Sequence, residues 1–456
     1  MNAMCVLGRW LGIGPIRAFG LQPTATRAWL RREILAVLTL GVTTLANQGQ
    51  YSFRTEVNPD GTLTVYKGTF CPYYALVIPD VIDGRKVTTI GDLTFSGCTG
   101  MTSITIGHSV TTIGYGAFRG CWNVNSVSIP DSVTRIGGSA FEEIFHLPKI
   151  TIPDSVTSIG GRAFSGCAGL TNITIPDSVT SIGGGAFKDC PLKEVLFNKS
   201  RTMLVRYPPE STGGYTIPRT ATNIVGEAFS GCASLTSVAI PDSVTSIGDR
   251  AFSGCTGLTN ITLGDGVTSI DPRMFAGCTN LAAISVGPSH PVYKSVGGVL
   301  FSKDETTLLL YPGGKAGDYV IPDSVTSIRE TAFSGCTGLT SVTIPDSVTS
   351  IGYGAFADCT GLTSITIPDS VTSIGDEVFY RCTSLTNITI PDGVTNIGGK
   401  AFADSALTSI TIPDGVTSIG RGAFADSALT SITIPGSIKI LADGHYDSIR
   451  RWVYRG

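Results

Sequence analysis

Apolar residues recur along most of this chain in one order, most clearly from Leu170 to Gly183, LTNITIPDSVTSIG, followed by a short GxxAFxxC segment. Leu170, Ile173 and Ile175 end in an alternating I-T-I run, as a half-buried strand should. Val179 and Ile182 predict a second short strand. Between them Ile175-Pro176-Asp177-Ser178 reads as a tight turn, with Pro at the second turn position and Asp or Ser bonding to nearby backbone. The segment around Ala186-Phe187 is too short for a full helix and predicts a single helical or 3₁₀ turn that drops its Phe into the core. Phenylalanine marks the period: Phe95, Phe118, Phe141, Phe164 and Phe187 are 23 apart, as are Phe229, Phe252 and Phe275, then Phe333, Phe356, Phe379 and Phe402, with Phe424 following 22 later.

A unit of that length cannot close a core alone, so units must stack. The expected fold is mainly β: a right-handed solenoid of 22–23-residue coils, about fourteen in number and roughly 65 Å long at the strand-pairing distance. Its Phe, Ile and Val residues form columns along the axis. The combination IPDSVTSIGxxAFSGCTGLTSITIP resembles the bacterial BspA-type leucine-rich-repeat family over most of residues 78–434. That resemblance implies an extracellular, non-enzymatic, adhesive protein that binds host proteins or other cells. It carries over no residue motif for a ligand.

Two stretches break the period, 191–216 and 287–320, and each holds a related hairpin-like run, Glu194 to Pro208 and Gly298 to Pro312. Such insertions are expected to leave the solenoid through its loops, where function often sits. The reading preferred over that one is an ornamental hairpin that packs its Leu and Tyr residues on neighbouring coils. Residues 47–77 alternate strongly and read as an N-terminal β cap over the open edge of the first coil. Residues 435–456 read as a degenerate C-terminal cap or tail without a sortase-type signal. Residues 1–46 read as a leader, whose segment 27–46 places Arg27, Arg31 and Arg32 before the apolar run Ile34 to Leu45. This is the layout of a secretory signal peptide, with Leu30 read as the true initiator; an uncleaved N-terminal membrane anchor is the alternative. Either sends the rest of the chain to the outside, secreted or at the cell surface.

Composition adds exclusions. Charged residues are 15% and the formal net charge is -3, so no broad basic field exists to attract nucleic acid or an anionic membrane. No Walker loop, nucleophile elbow or HExxH occurs, and no cofactor motif is found, which points away from an enzyme. Ten of the 12 cysteines, Cys98, Cys121, Cys167, Cys190, Cys232, Cys255, Cys278, Cys336, Cys359 and Cys382, lie three residues after their Phe. Ser405 and Ser427 take the same place later. Parallel columns give poor bridging geometry, so reduced, packed thiols are expected, with the serines bonded to local backbone. The four histidines, His108, His146, His290 and His445, are scattered and offer no metal site. Rows of turn aspartates, Asp131, Asp154, Asp177, Asp242, Asp323, Asp346, Asp369 and Asp392, read as turn formers, with a calcium row as the alternative.

The candidate binding face is the outer side of the first strand, because period two turns alternate residues out when the isoleucines go in. It comprises Ser103 and Thr105, Asn172 and Thr174, Asn260 and Thr262, Ser364 and Thr366, Asn387 and Thr389, and Ser409 and Thr411, with Ser431 and Thr433 continuing it. An extracellular protein or glycan is the expected partner of this hydroxyl lattice. The bland reading is that Thr suits an exposed strand. A structural, self-associating surface-layer protein without a foreign ligand is the other functional class.

Overall fold

The computed structural model describes residues 53–67, 71–430, 432, 434–438, 440 and 441. They wind into a β-solenoid of about 15 turns with almost no helix. Each regular coil has three sides. The first carries strands of three to five residues such as Met101–Thr105, Leu235–Ala239 and Leu339–Thr343, paired in parallel with their equivalents one coil on. The second carries two-residue strands in strict register, Ile90 opposite Ile113, then Ile136, Ile159 and Ile182. Between these sides the N–H of Val133 donates to the carbonyl of Pro130 at 3.1 Å, and Val156 and Val179 repeat the bond. Pro therefore stands at the first turn position and not the second, which lets Ser132 reach back to the Val110 carbonyl at 2.6 Å.

The third side holds the phenylalanines. Their rings stack from coil to coil, with centroids 5.5 Å apart for Phe95 and Phe118 and 5.3 Å for Phe164 and Phe187, and all but the half-buried Phe424 are shielded from water. Each buried ring contributes about 2–3 kcal/mol of transfer free energy, and the column joins coil to coil in three runs, Phe95 to Phe187, Phe229 to Phe275 and Phe333 to Phe424.

The expected 3₁₀ helix forms in one coil, Pro272–Phe275, where Asp271 caps the end and Pro272 presets the first dihedral. Elsewhere the chain answers a different demand. The N–H groups of Leu93, Phe95 and Gly97 donate along the axis to the carbonyls of Tyr115, Ala117 and Arg119, each at 2.7 Å, so they are not free for a helix. Aiming alternate amides at the next coil requires left-handed backbone two residues before and two after the Phe, as at Ser139 (φ 54°) and Glu143 (φ 61°) around Phe141. The amides in between close isolated i to i+3 turns, such as Cys98 to Phe95 at 3.1 Å.

Both insertions stay in line with the solenoid. In each, the hairpin's second strand, Met203–Arg206 or Thr307–Leu310, joins the two-residue ladder, Leu204 opposite Ile224 and Leu308 opposite Ile328. Tyr207 and Tyr311 take the Phe place, their rings stacked on Phe229 at 5.0 Å and Phe333 at 4.9 Å. Arg206, buried, donates from Nη1 to the carbonyls of Glu227 and Ser230, both at 2.9 Å. The hairpins thus serve packing, because their Leu and Tyr side chains repeat the spacing of the core columns.

At the N-terminal end the hairpin of Phe53–Val57 and Leu63–Lys67 extends the same ladder, its second strand running parallel to Val87–Ile90. Here one cysteine departs from expectation. Cys98 is not a free thiol but is disulfide-bonded to Cys71, because Cys71 approaches from outside the column with its Cα 5.2 Å away. Among the described residues the nine other cysteines of the column are free and buried. Each thiol donates to a carbonyl one coil back, Cys121 to Phe95 at 3.1 Å and Cys359 to Phe333 at 3.1 Å. Ser427 bonds locally to the Phe424 carbonyl, but buried Ser405 finds no partner for its hydroxyl.

Candidate functional site

Strand alternation places the candidate side chains together on the first side. Thr105, Asn172, Thr174, Asn260, Thr262, Ser364, Thr366, Asn387, Thr389, Ser409 and Thr411 are exposed and Ser103 is half-buried, while Ile104, Ile173, Ile261, Ile365, Ile388 and Ile410 between them point into the core. Ser431 and Thr433 lie outside the described residues, as do His445, the leader and its segment 27–46.

Hydroxyls on two sides of the coil differ in what they bond. The threonines of the second side are spent within the protein: Thr134 donates to the Thr111 carbonyl at 3.3 Å, Thr157 to Thr134 at 3.2 Å and Thr180 to Thr157 at 3.3 Å. On the first side, the hydroxyls of Thr105, Thr174, Thr262, Thr366, Thr389 and Thr411 have no partner in the protein among the described residues. They are exposed donors and acceptors held on a rigid lattice.

The ladder beneath this lattice is interrupted. In intact coils the residue after the buried Leu or Val donates its N–H one coil back, Asn125 to Thr102, Thr259 to Thr236 and Thr363 to Thr340, each at 2.9 Å. Position 148 is the equivalent place, and Pro148 has no N–H to give. Two coils later the chain turns into the first hairpin, pairing Leu196 with Arg206. Between these two events, residues 149–152 and 171–174 make no backbone hydrogen bond among the described residues. A second lapse covers 387–390. Two adjoining grooves of about 640 and 560 Å³ open over the first gap, sharing Asn172, Ile173 and Thr174 and reaching from Asp131 to Arg201. Lys199 crosses the gap to meet Asp154 at 3.2 Å. Only the first coil of the gap carries a signal in the sequence, a proline out of place in the repeat; the equivalent positions Thr171 and Thr386 carry none.

The turn aspartates are exposed; Asp177 accepts the Ser200 N–H at 2.8 Å, and Asp242 accepts that of Asp265 at 3.0 Å. Among the described residues no group of three His, Cys, Asp or Glu side chains is arranged to hold a metal ion. His108 and His146 are exposed and apart; His290 is buried, its Nδ1 accepting the Tyr293 N–H at 3.1 Å. Burial pushes the thiols of Cys121, Cys190 and Cys382 up to about 12, so they stay protonated and unreactive at neutral pH. Among the described residues no helix is long and apolar enough to cross a membrane.

A family description, the BspA type leucine-rich repeat region in six copies, matches residues 86–207, 211–307, 315–430 and 374–450. A search among curated proteins returns no match. Among solved structures, a leucine-rich cell surface protein from Faecalibacterium prausnitzii is similar at 34% identity, covering 85% of this chain and 93% of its own, with a TM-score of 0.52. A leucine-rich repeat protein from Eubacterium ventriosum matches at 25% identity over 78% of this chain and 94% of its own, with a TM-score of 0.49. One from Bacteroides ovatus matches at 29% identity over 86% and 88%, with a TM-score of 0.37. With its repeat register, its stacked phenylalanine column, the family match and the Faecalibacterium prausnitzii structure in agreement, the chain belongs to the BspA-type leucine-rich-repeat family of bacterial surface-associated proteins.

Proposed function

We propose that this protein is an adhesive scaffold, displayed on or released from the cell, that binds an extracellular protein or glycan through its Ser/Asn-x-Thr face. The observation that carries this reading is the contrast between the two hydroxyl rows. One is consumed by coil-to-coil bonds, whereas the other is unpaired, exposed and repeated along the axis. A row of weak hydrogen bonds gains affinity by number, since sites linked on one scaffold act at high effective concentration. Repeat proteins of this kind are generally non-enzymatic scaffolds, and the second strand of each hairpin continues the ladder of the solenoid.

The test is a matrix-protein and glycan array probed with the full chain, in parallel with variants carrying Thr262→Lys and Thr366→Lys on the face. Binding that these changes abolish, by a protein that light scattering shows to be monomeric, is the expected result. An empty array together with concentration-dependent filaments would sink the proposal in favour of a self-associating layer.

A further inference from the structure

We propose that the gap in the first-side ladder, over residues 149–152 and 171–174, seats a neutral linear glycan lying along the solenoid axis. This deepens the binding reading above and rests on it. The gap exposes backbone donors and acceptors beside the hydroxyls of Thr151 and Thr174 and the amide of Asn172, none of which has a partner in the protein among the described residues. A ligand that fits must both donate and accept at close intervals, as the hydroxyls of a sugar do.

Direction selects between a glycan and a peptide. The two grooves follow one another across coils, from Asp131 to Arg201, so an elongated ligand crosses the strands instead of lying beside one. Along this axis the paired strands of the first side repeat at about 4.8 Å from coil to coil. An extended peptide advances about 3.3 Å per residue and falls out of step with that repeat. A pyranose ring in an extended chain is about one coil long, so each sugar meets the same set of groups. The grooves are lined by Lys149, Lys193, Lys199 and Arg201 against Asp131, Asp154 and Glu194, with Lys199 paired to Asp154, and this near balance of charge favours a neutral chain over an acidic one. On the corner leading into these coils, Trp122 and Phe145 are exposed and stacked at 6.0 Å, one ring per coil, an apolar platform for a sugar face.

The experiment titrates the full chain with cellohexaose and chitohexaose, using maltohexaose and a ten-residue polythreonine peptide as controls. At least one of the first two should bind saturably. Binding should weaken at least tenfold in the double variant Asn172→Ala/Thr174→Val and by a clearly smaller factor in Asn260→Ala/Thr262→Val, where the ladder is closed. Pro148→Thr is the sharper probe: it returns the missing N–H, closes the ladder onto Asn125 and should abolish binding with every exposed side chain of the gap intact. Hydrogen exchange at the substituted position reports that closure. The proposal is overturned if neither extended hexasaccharide binds, if the peptide binds in their place, or if Pro148→Thr closes the ladder and still binds. Loss in the Asn260/Thr262 variant with retention in the Asn172/Thr174 variant would remove the gap as the seat yet leave the binding face standing.

Discussion

Ser405 offers a direct measure of what the thiol column contributes. In seven of the nine interior coils the Sγ lies 3.0–3.2 Å from a Phe carbonyl one coil back, as for Cys255, Cys278 and Cys382. Ser405 occupies the same buried place, 5% exposed, yet its Oγ has no partner because the shorter C–O bond does not carry it to the Phe379 carbonyl. An unsatisfied buried hydroxyl costs about 1–3 kcal/mol. Ser405→Cys removes that cost and adds a weak S–H bond, so it should stabilise the last coils by about 1–2 kcal/mol. Because each coil contacts only its neighbours, the gain belongs to the C-terminal end and is best read by native-state hydrogen exchange of amides from Phe379 to Phe424, supported by urea titration. Cys382→Ser, the reverse change, should lower protection there by a similar amount. If Ser405→Cys leaves those amides unchanged while Cys382→Ser also costs nothing, the column does not work by the carbonyl bond described.

Alkaline stability follows from the same thiols. Their ordinary value of 9.0 governs the unfolded chain, whereas burial holds Cys121, Cys190 and Cys382 at about 12 in the fold. Stability should therefore be complete below pH 9 and fall as pH rises towards 12, by about 1.4 kcal/mol per unit for each thiol; urea midpoints that stay flat from pH 8 to 11 would contradict this. Thr331 is β-branched yet sits at φ 52°, so Thr331→Gly should stabilise by about 0.5–1 kcal/mol, the strain relieved less the entropy of glycine; a lowered melting temperature counts against that account. Cys71→Ser opens a link across 27 residues and should cost about 3.5 kcal/mol. The loss should show as faster exchange in Tyr74–Val77 and Met101–Thr105, with coils beyond Phe187 unaffected.

Much of this architecture was legible because its information is periodic. Phe118 and Phe141 are 23 residues apart, and a chain that returns to the same place after each turn must stack those rings. The exposed face was legible for the same reason, since Thr174 and Thr262 alternate with Ile173 and Ile261. What broke the period was harder to read. Tyr207 and Tyr311 replace Phe only after a hairpin whose length hides the substitution, and Cys71 belongs to no repeat, so its bond to Cys98 has no echo elsewhere. The left-handed residues beside each Phe were also hidden. Arg162, Thr331 and Glu377 have no preference for that backbone and accept it because the next coil's carbonyls demand their alternate amides.

By itself the sequence determined the repeat, the columns it builds and which side chains face out, since these follow from periodicity and from the burial of apolar surface. Only the tertiary structure decided which outward hydroxyls are already bonded and where the ladder opens. Hydrogen bonds between coils join residues about 22 positions apart, and their completion depends on what the neighbouring coil presents. Thr157 and Thr174 are both exposed threonines on strand-like segments, but only the first finds a carbonyl waiting one coil back. Pro148 removes one donor from the ladder, yet Thr171 and Thr386 keep their N–H groups and also leave them unpaired among the described residues, so the openings follow from how neighbouring coils meet and not from residue type alone.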